Sequence, residues 1–193
     1  GAMSIDHAAP PQTAHDTRHT APAAGVGLVL RPARADEAPL LSELALRSKG
    51  WWGHSASFLR ACEAELTLSP EQAAKAVLVE VDGVVAGFHL LAPSSVGSDV
   101  GELDMLFVDP AFIGSGIGRI LFEDARRSAA GRGWTRVQIE ADPQARPFYE
   151  RLGAVQVGER LSRSVPGRSL PLFELTLRGG GSSRPIGRAT YWR

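Results

Sequence analysis

Residues 106–123 read LFVDPAFIGSGIGRILFE. An apolar run ends at Val108, and Asp109-Pro110 breaks it. Three glycines then stand at alternate positions, Gly114, Gly116 and Gly118, and helical apolar spacing begins at once with Ile117, Ile120, Leu121 and Ala125. The stretch predicts a strand over 100–108, a glycine-rich connection, and a helix to about Ala130 that Gly131 and Gly133 stop. Glycines at such a junction make either a tight strand-to-helix turn or a backbone cradle for phosphate. The first amides of a helix lack internal acceptors and carry partial positive charge, so an anion docks there without a lysine. Glycine lets that anion approach without meeting a Cβ. Two phosphate motifs do not fit. A Walker loop needs Lys-Ser/Thr after its last glycine, but Arg119-Ile120 follows Gly118. A dinucleotide fingerprint needs a third glycine where Arg119 stands.

Around this core the chain has 193 residues, 44% of them hydrophobic, which is enough for one domain with a real core. Lys plus Arg and Asp plus Glu both number 21, so the net charge is zero. Nothing favours broad attraction to nucleic acid or an anionic membrane, and neither is expected as a partner. No run approaches the roughly 18 apolar residues of a membrane span. No signal-peptide core opens the chain, and one cysteine permits no intrachain disulfide, so a cytoplasmic location is expected. Gly1-Ala2 ahead of Met3 is read as a cloning remnant.

Residues 1–25 are rich in Ala, Pro, Thr and His without periodicity and are expected to be a disordered tail. His15 and His19 have helical metal-ligand spacing, but no carboxylate or cysteine cluster supports them, and no metal is expected. Residues 179–193 form a second tail, glycine-rich and then basic, which leaves a domain over 26–178. Val26–Arg31 is a strand candidate. Asp36 is the expected cap of a helix with Pro39 in its first turn and Leu40, Leu41, Leu44 and Ser48 on its buried face. A second helix covers about 55–66, with Phe58, Leu59, Cys62 and Leu66 on one stripe, so Cys62 reads as a core residue. VLVEVDGVVAGFHLL, residues 77–91, is a hairpin turning at Asp82-Gly83, with His89 in a structural role. A strand over 134–141, a short helix from Asp142-Pro143 to Leu152 that is irregular before Pro147, and strands near 154–163 and 170–177 complete the domain.

LFVDPAFIGSGIGRILFE resembles motif A of the GNAT superfamily, the acyl-CoA-dependent N-acyltransferases, with Gly116 and Gly118 on the two motif glycines. Ile113 stands where Arg or Gln is usual. Downstream, ADPQARPFYERLGA resembles motif B of the same superfamily through Ala145, Phe148, Tyr149, Glu150 and Gly153. The resemblance implies an α/β (α+β) GNAT fold: a twisted mixed sheet of six or seven strands with about four helices, splayed between the fourth and fifth strands. It implies acetyl-CoA as cosubstrate. Gly114, Ser115, Gly116, Ile117, Gly118 and Arg119 would cradle the diphosphate, the main chain of Leu106, Phe107 and Val108 would pair with pantetheine, and Phe148 would lie beside it. The resemblance leaves the oligomeric state open between a monomer and a homodimer, since many relatives dimerise.

Acyl transfer to an amine needs the amine neutral. For a lysine-like group of pKa about 10.4 this costs about 4.6 kcal/mol at pH 7. A base must take that proton, and the leaving thiolate must be stabilised. The resemblance makes Tyr149 the candidate acid, its alternative being a packing tyrosine that positions the thioester. If alternation holds, Glu102, Asp104, Leu106 and Val108 share one face. Glu102 then falls where some members carry a catalytic glutamate, and it ranks ahead of Asp104 as base. The alternative is a solvated or capping pair.

SKGWWGHS, residues 48–55, and SVPGRSLP, residues 164–171, resemble stretches of one bacterial branch of the superfamily. In that fold both border the acceptor mouth, which makes Trp51, Trp52, His54 and Arg168 candidate acceptor-binding residues. Tryptophan walls an apolar or cationic acceptor, and Arg168 pairs with a carboxylate. The bland alternative is that the tryptophans cap the core and Pro-Gly only makes the turn. The expected function is N-acetylation of a primary amine, small or amino-acid-like, by direct attack in a ternary complex. Its competitors are a protein N-acetyltransferase and a catalytically silent CoA-binding module.

Overall fold

The computed structural model describes residues 27–178, and both expected tails, with the His15/His19 spacing, lie outside the described residues. In chain order the elements are β1 (Leu28–Pro32), α1 (Ala38–Gly50), α2 (Ala56–Leu66), α3 (Pro70–Lys75), β2 (Val77–Val81), β3 (Val84–Pro93), β4 (Val100–Val108), α4 (Ile117–Gly131), β5 (Arg136–Glu140), α5 (Arg146–Arg151), β6 (Val155–Leu161) and β7 (Ser169–Thr176). The seven strands form one sheet, ordered β1-β2-β3-β4-β5-β7-β6. Among the described residues only β4 and β5 pair in parallel. Helices α1 to α3 pack on the sheet around Leu41, Leu44, Cys62 and Phe88. Helices α4 and α5 bury a second core around Phe122, Ile139 and Phe173.

Local chemistry sets these elements. Asp82 and Gly83 take φ of 50° and 80°, the left-handed pair that a two-residue hairpin turn requires. Ser55 caps α2 by accepting from the Phe58 amide at 3.1 Å. Ser69 and Gln72 form a capping box with Pro70 in the first turn, which starts the short helix α3 that apolar periodicity does not flag. Two expectations for α1 are corrected. A 3-10 turn over Ala35–Glu37 precedes it, so Asp36 faces Arg34 at 3.3 Å and does not cap α1. Leu40 is 42% exposed and Ala45 is buried in its place, because Leu41, Leu44, Ala45 and Ser48 complete a stripe that Leu40 cannot join.

The sheet opens where the site lies. β4 pairs with β5 only through Val100, Gly101 and Glu102. Gly101 is required there, since a Cβ would stand 2.0 Å from the Trp134 ring. Beyond Glu102 the strands part, as the resemblance implies, and β4 from Leu103 to Val108 bonds to β3 alone. The expected alternation along β4 does not hold. Leu103 pairs with Leu91 and Met105 with Leu90, so Asp104 is an extra, bulged residue. The bulge turns Met105 and Phe107 toward the α1–α3 core and Leu106 and Val108 toward α4. Asp104 lies within the field of Glu65 on α2, so the two acids do not share a face with Leu106 and Val108.

Candidate active site

The splay opens a cleft of about 840 Å³ whose walls include Leu103–Val108 of β4, the glycine turn, α5, and Lys49 and Trp52. At one end Gly114 and Gly116 have φ of 81° and 88°, and a Cβ on either would meet nothing within 4 Å. Glycine is needed here for its backbone conformation, and the space beside it is open. Gly118 answers a different demand, since its Cβ would lie 3.2 Å from the Phe148 ring. The amides of Gly114, Gly116, Ile117, Gly118 and Arg119 have no acceptor among the described residues. Ser115 departs from the expected cradle. Its amide donates to the Phe112 carbonyl at 3.2 Å, and its hydroxyl donates to the same oxygen. Ile113 lines the cleft beside these amides. Five free amides, an open backbone edge on β4 and space beside the positive-φ glycines fit a diphosphate carrying an extended, amide-bearing arm.

Tyr149 on α5 is packed by Phe122, Phe148 and Phe173, with ring centroids 6.0, 5.1 and 6.1 Å away. The ring is 7% exposed yet lines the cleft, and its hydroxyl makes no hydrogen bond among the described residues. Burial pushes the phenol above its ordinary value.

The two acids diverge in their surroundings. Glu102 does not line the cleft. It pairs with Arg160 at 3.4 Å, and Arg160 also meets Glu140 at 3.3 Å and Gln138 at 3.0 Å. Asp104 lines the cleft and makes no hydrogen bond among the described residues. Although its surface is exposed, its carboxyl sits in a recess where burial pushes the pKa up. The charge on Glu102 adds to the rise and Arg163 opposes it.

The acceptor-side candidates meet at a residue read from sequence only as the start of a short helix. Asp142, past the end of β5, accepts at one carboxylate oxygen from Lys49 Nζ at 2.9 Å, His54 Nε2 at 3.2 Å and Arg168 Nη2 at 3.4 Å. Its other oxygen caps the turn by accepting from the Gln144 amide at 3.0 Å. The cap and the cations hold Asp142 at about pKa 2, against the desolvation that raises it. Trp52 lines the cleft, whereas Trp51 is 52% exposed and stacks edge-on against Trp52 with centroids 4.9 Å apart. His54 and Arg168 reach the cleft wall only through Asp142. Among the described residues no cluster of three metal-ligating side chains occurs, and no helix is long and apolar enough to cross a membrane.

These carboxylates give acid sensitivity a definite sign. Glu37, bidentate to Arg31 at 2.8 and 2.9 Å, is also held at about pKa 2. For both Glu37 and Asp142 the folded pKa lies below the unfolded one. Their stabilisation is therefore present above the unfolded values and is lost as pH falls toward 2. Thermal midpoints measured by circular dichroism are expected to fall between about pH 5 and pH 2, and Glu37→Gln is expected to flatten that fall.

The sequence profile of the Acetyltransferase (GNAT) family matches residues 40–154, more than half of the chain, and the chain belongs to that family. Among curated proteins, it is 33% identical over 57 residues to a glucosamine 6-phosphate N-acetyltransferase of Trypanosoma brucei brucei. That match covers 30% of this chain and 39% of the relative, so it spans well under half of the relative's length. Among solved structures, it resembles the PaiA N-acetyltransferase of Thermoplasma acidophilum in complex with coenzyme A. The TM-score is 0.63 at 18% identity, over 78% of this chain and 99% of that one. It also resembles yncA of Salmonella typhimurium with acetyl-CoA, at TM-score 0.59 and 17% identity, over 83% of this chain and 99% of that one.

Proposed function

We propose that the chain is an acetyl-CoA-dependent N-acetyltransferase acting on a small primary amine by direct attack in a ternary complex. One observation carries the reading: a single cleft joins five unpaired amides at the start of α4, the unpaired edge of β4, and Tyr149. In this reading the amides hold the diphosphate and Leu106–Val108 pair with the pantetheine arm, which leads the thioester to α5. Bound acetyl-CoA supplies the activated acetyl group. Asp104 takes the proton of the acceptor ammonium, because burial and Glu102 make its carboxylate a stronger base and it stands free in the cleft. Glu102, tied to Arg160, tunes Asp104 by its charge. Tyr149 enters protonated and donates to the leaving thiolate. Ser48, Lys49 and Trp52 wall the cleft on the α1 side, which favours a small acceptor over a protein tail. The buried free thiol of Cys62 suits a reducing cytoplasm.

The test is thiol release from acetyl-CoA against a panel of primary amines. Turnover with small amines is expected. CoA binding without thiol release from any amine would instead indicate a silent binding module. In the same assay Asp104→Asn is expected to lower kcat about 10- to 100-fold and to erase the acid limb of its pH profile, where activity rises as the carboxyl loses its proton. Glu102→Gln is expected to shift that limb to lower pH with a smaller loss.

A further inference from the structure

Lys49 in the last turn of α1, His54 in the α1–α2 connection and Arg168 in the β6–β7 loop all converge on one oxygen of Asp142. A carboxylate oxygen accepts about two good hydrogen bonds, and the second oxygen is already committed to the Gln144 amide. The cluster therefore holds more donors than Asp142 can serve. Beyond these single bonds, neither the Lys49 ammonium nor the Arg168 guanidinium makes another hydrogen bond among the described residues. Both cations are largely shielded, with side chains 16% and 22% exposed. Phe58 packs against both, with Arg168 4.6 Å and the Lys49 ammonium 5.8 Å from its ring centroid, and His54 stacks on the same ring at 4.1 Å. Two fixed cations on one anion leave the cluster net positive even with a neutral imidazole. The Asp104 recess has the opposite character, with Glu102, Glu140 and Glu65 around it and Arg163 opposing. Lys49, Asp142 and Asp104 line the same cleft, which so carries both the positive cluster and the acidic recess on its walls.

Resting on the N-acetyltransferase reading above, we propose that Lys49, which lines the cleft and is backed by Arg168 through Asp142, holds an anionic group of the acceptor while its ammonium faces Asp104. The acceptor is then a primary amine that carries a carboxylate or a phosphate. An uncharged tail would leave the surplus donors of the largely shielded Lys49 ammonium unanswered, whereas an acid answers them with charge-assisted bonds. Asp142 acts here as a positioning residue that sets the spacing of the two cations.

Matched pairs of amines test this with the intact chain. Amino acids are compared with their carboxamides, and phosphoethanolamine and hexosamine 6-phosphates with their unphosphorylated forms. The acid-bearing member is expected to win by at least about tenfold in kcat/KM, through KM. The carboxylate and phosphate arms identify which acid is used. Lys49→Met is expected to collapse the ratio within a pair toward one, Arg168→Gln to reduce it by a smaller factor, and Arg168→Lys to restore part of that loss. Equal turnover within every pair, or a ratio unmoved in both variants, would overturn the proposal. So would a rise in the KM of acetyl-CoA in place of that of the acceptor, since it would assign the cations to the cosubstrate. Calorimetric titration of the CoA-loaded protein with the same pairs reads the seat without chemistry. Acid-selective binding without turnover would support the seat and count against the enzyme reading. Turnover without acid selectivity would do the reverse.

Discussion

Tyr149→Phe is expected to lower kcat about 100-fold or more while the Kd for CoA stays within about threefold. The change removes one oxygen and little else. The phenylalanine ring keeps the packing against Phe122, Phe148 and Phe173, and the lost hydroxyl bonds to no group among the described residues. Stability should therefore hold, and any loss of rate belongs to the reaction. Because burial keeps the phenol protonated well into alkaline pH, the wild-type rate should fall only at high pH, and the variant should lack that alkaline limb. A variant with nearly wild-type kcat would reduce Tyr149 to the packing role that its three aromatic neighbours also suit.

Gly116→Ala is expected to weaken CoA binding about 10- to 100-fold. The backbone at this position has φ of 88°, where a Cβ costs about 1–2 kcal/mol. The added methyl would also stand in the open space in front of the free amides. Gly83→Ala separates the two contributions. Gly83 has φ of 80° and nothing within 4 Å of its would-be Cβ, but it sits in the β2–β3 hairpin away from the cleft. Both variants should lose comparable stability in denaturant titrations, and only the one at Gly116 should lose CoA, as read by calorimetry. Equal CoA affinity in the two variants would mean that the glycine turn is only a connection between β4 and α4.

What could be read from the sequence, and what could not, follows from distance along the chain. β4, the glycine turn and α4 lie in one continuous stretch, and the features that specify them are adjacent residues. The hairpin at Asp82-Gly83 is equally local. The bulge at Asp104 is not local, because a single extra residue on β4 is defined only by the register of β3, and no periodicity within β4 reveals it. That one residue separates Asp104 from Leu106 and Val108 and changes which acid stands in the cleft. The Asp142 cluster is harder still to foresee. It brings together residues 49, 54, 142 and 168, and the acid at its centre had a sufficient local explanation as a turn cap, a role it also fills. The SKGWWGH and PGR stretches stand out in the sequence, but only the fold shows that they share one carboxylate.

Amide NMR on the labelled chain, titrated with CoA, most directly tests whether main-chain donors before and within the first turn of α4 grip the diphosphate. The amides of Gly114, Gly116, Ile117, Gly118 and Arg119 should shift most, with Leu106 to Val108 following. Ser115, already bonded to the Phe112 carbonyl, should move less. Saturable CoA binding that leaves those five amides unmoved would contradict the cradle, and with it the placement of the thioester beside Tyr149.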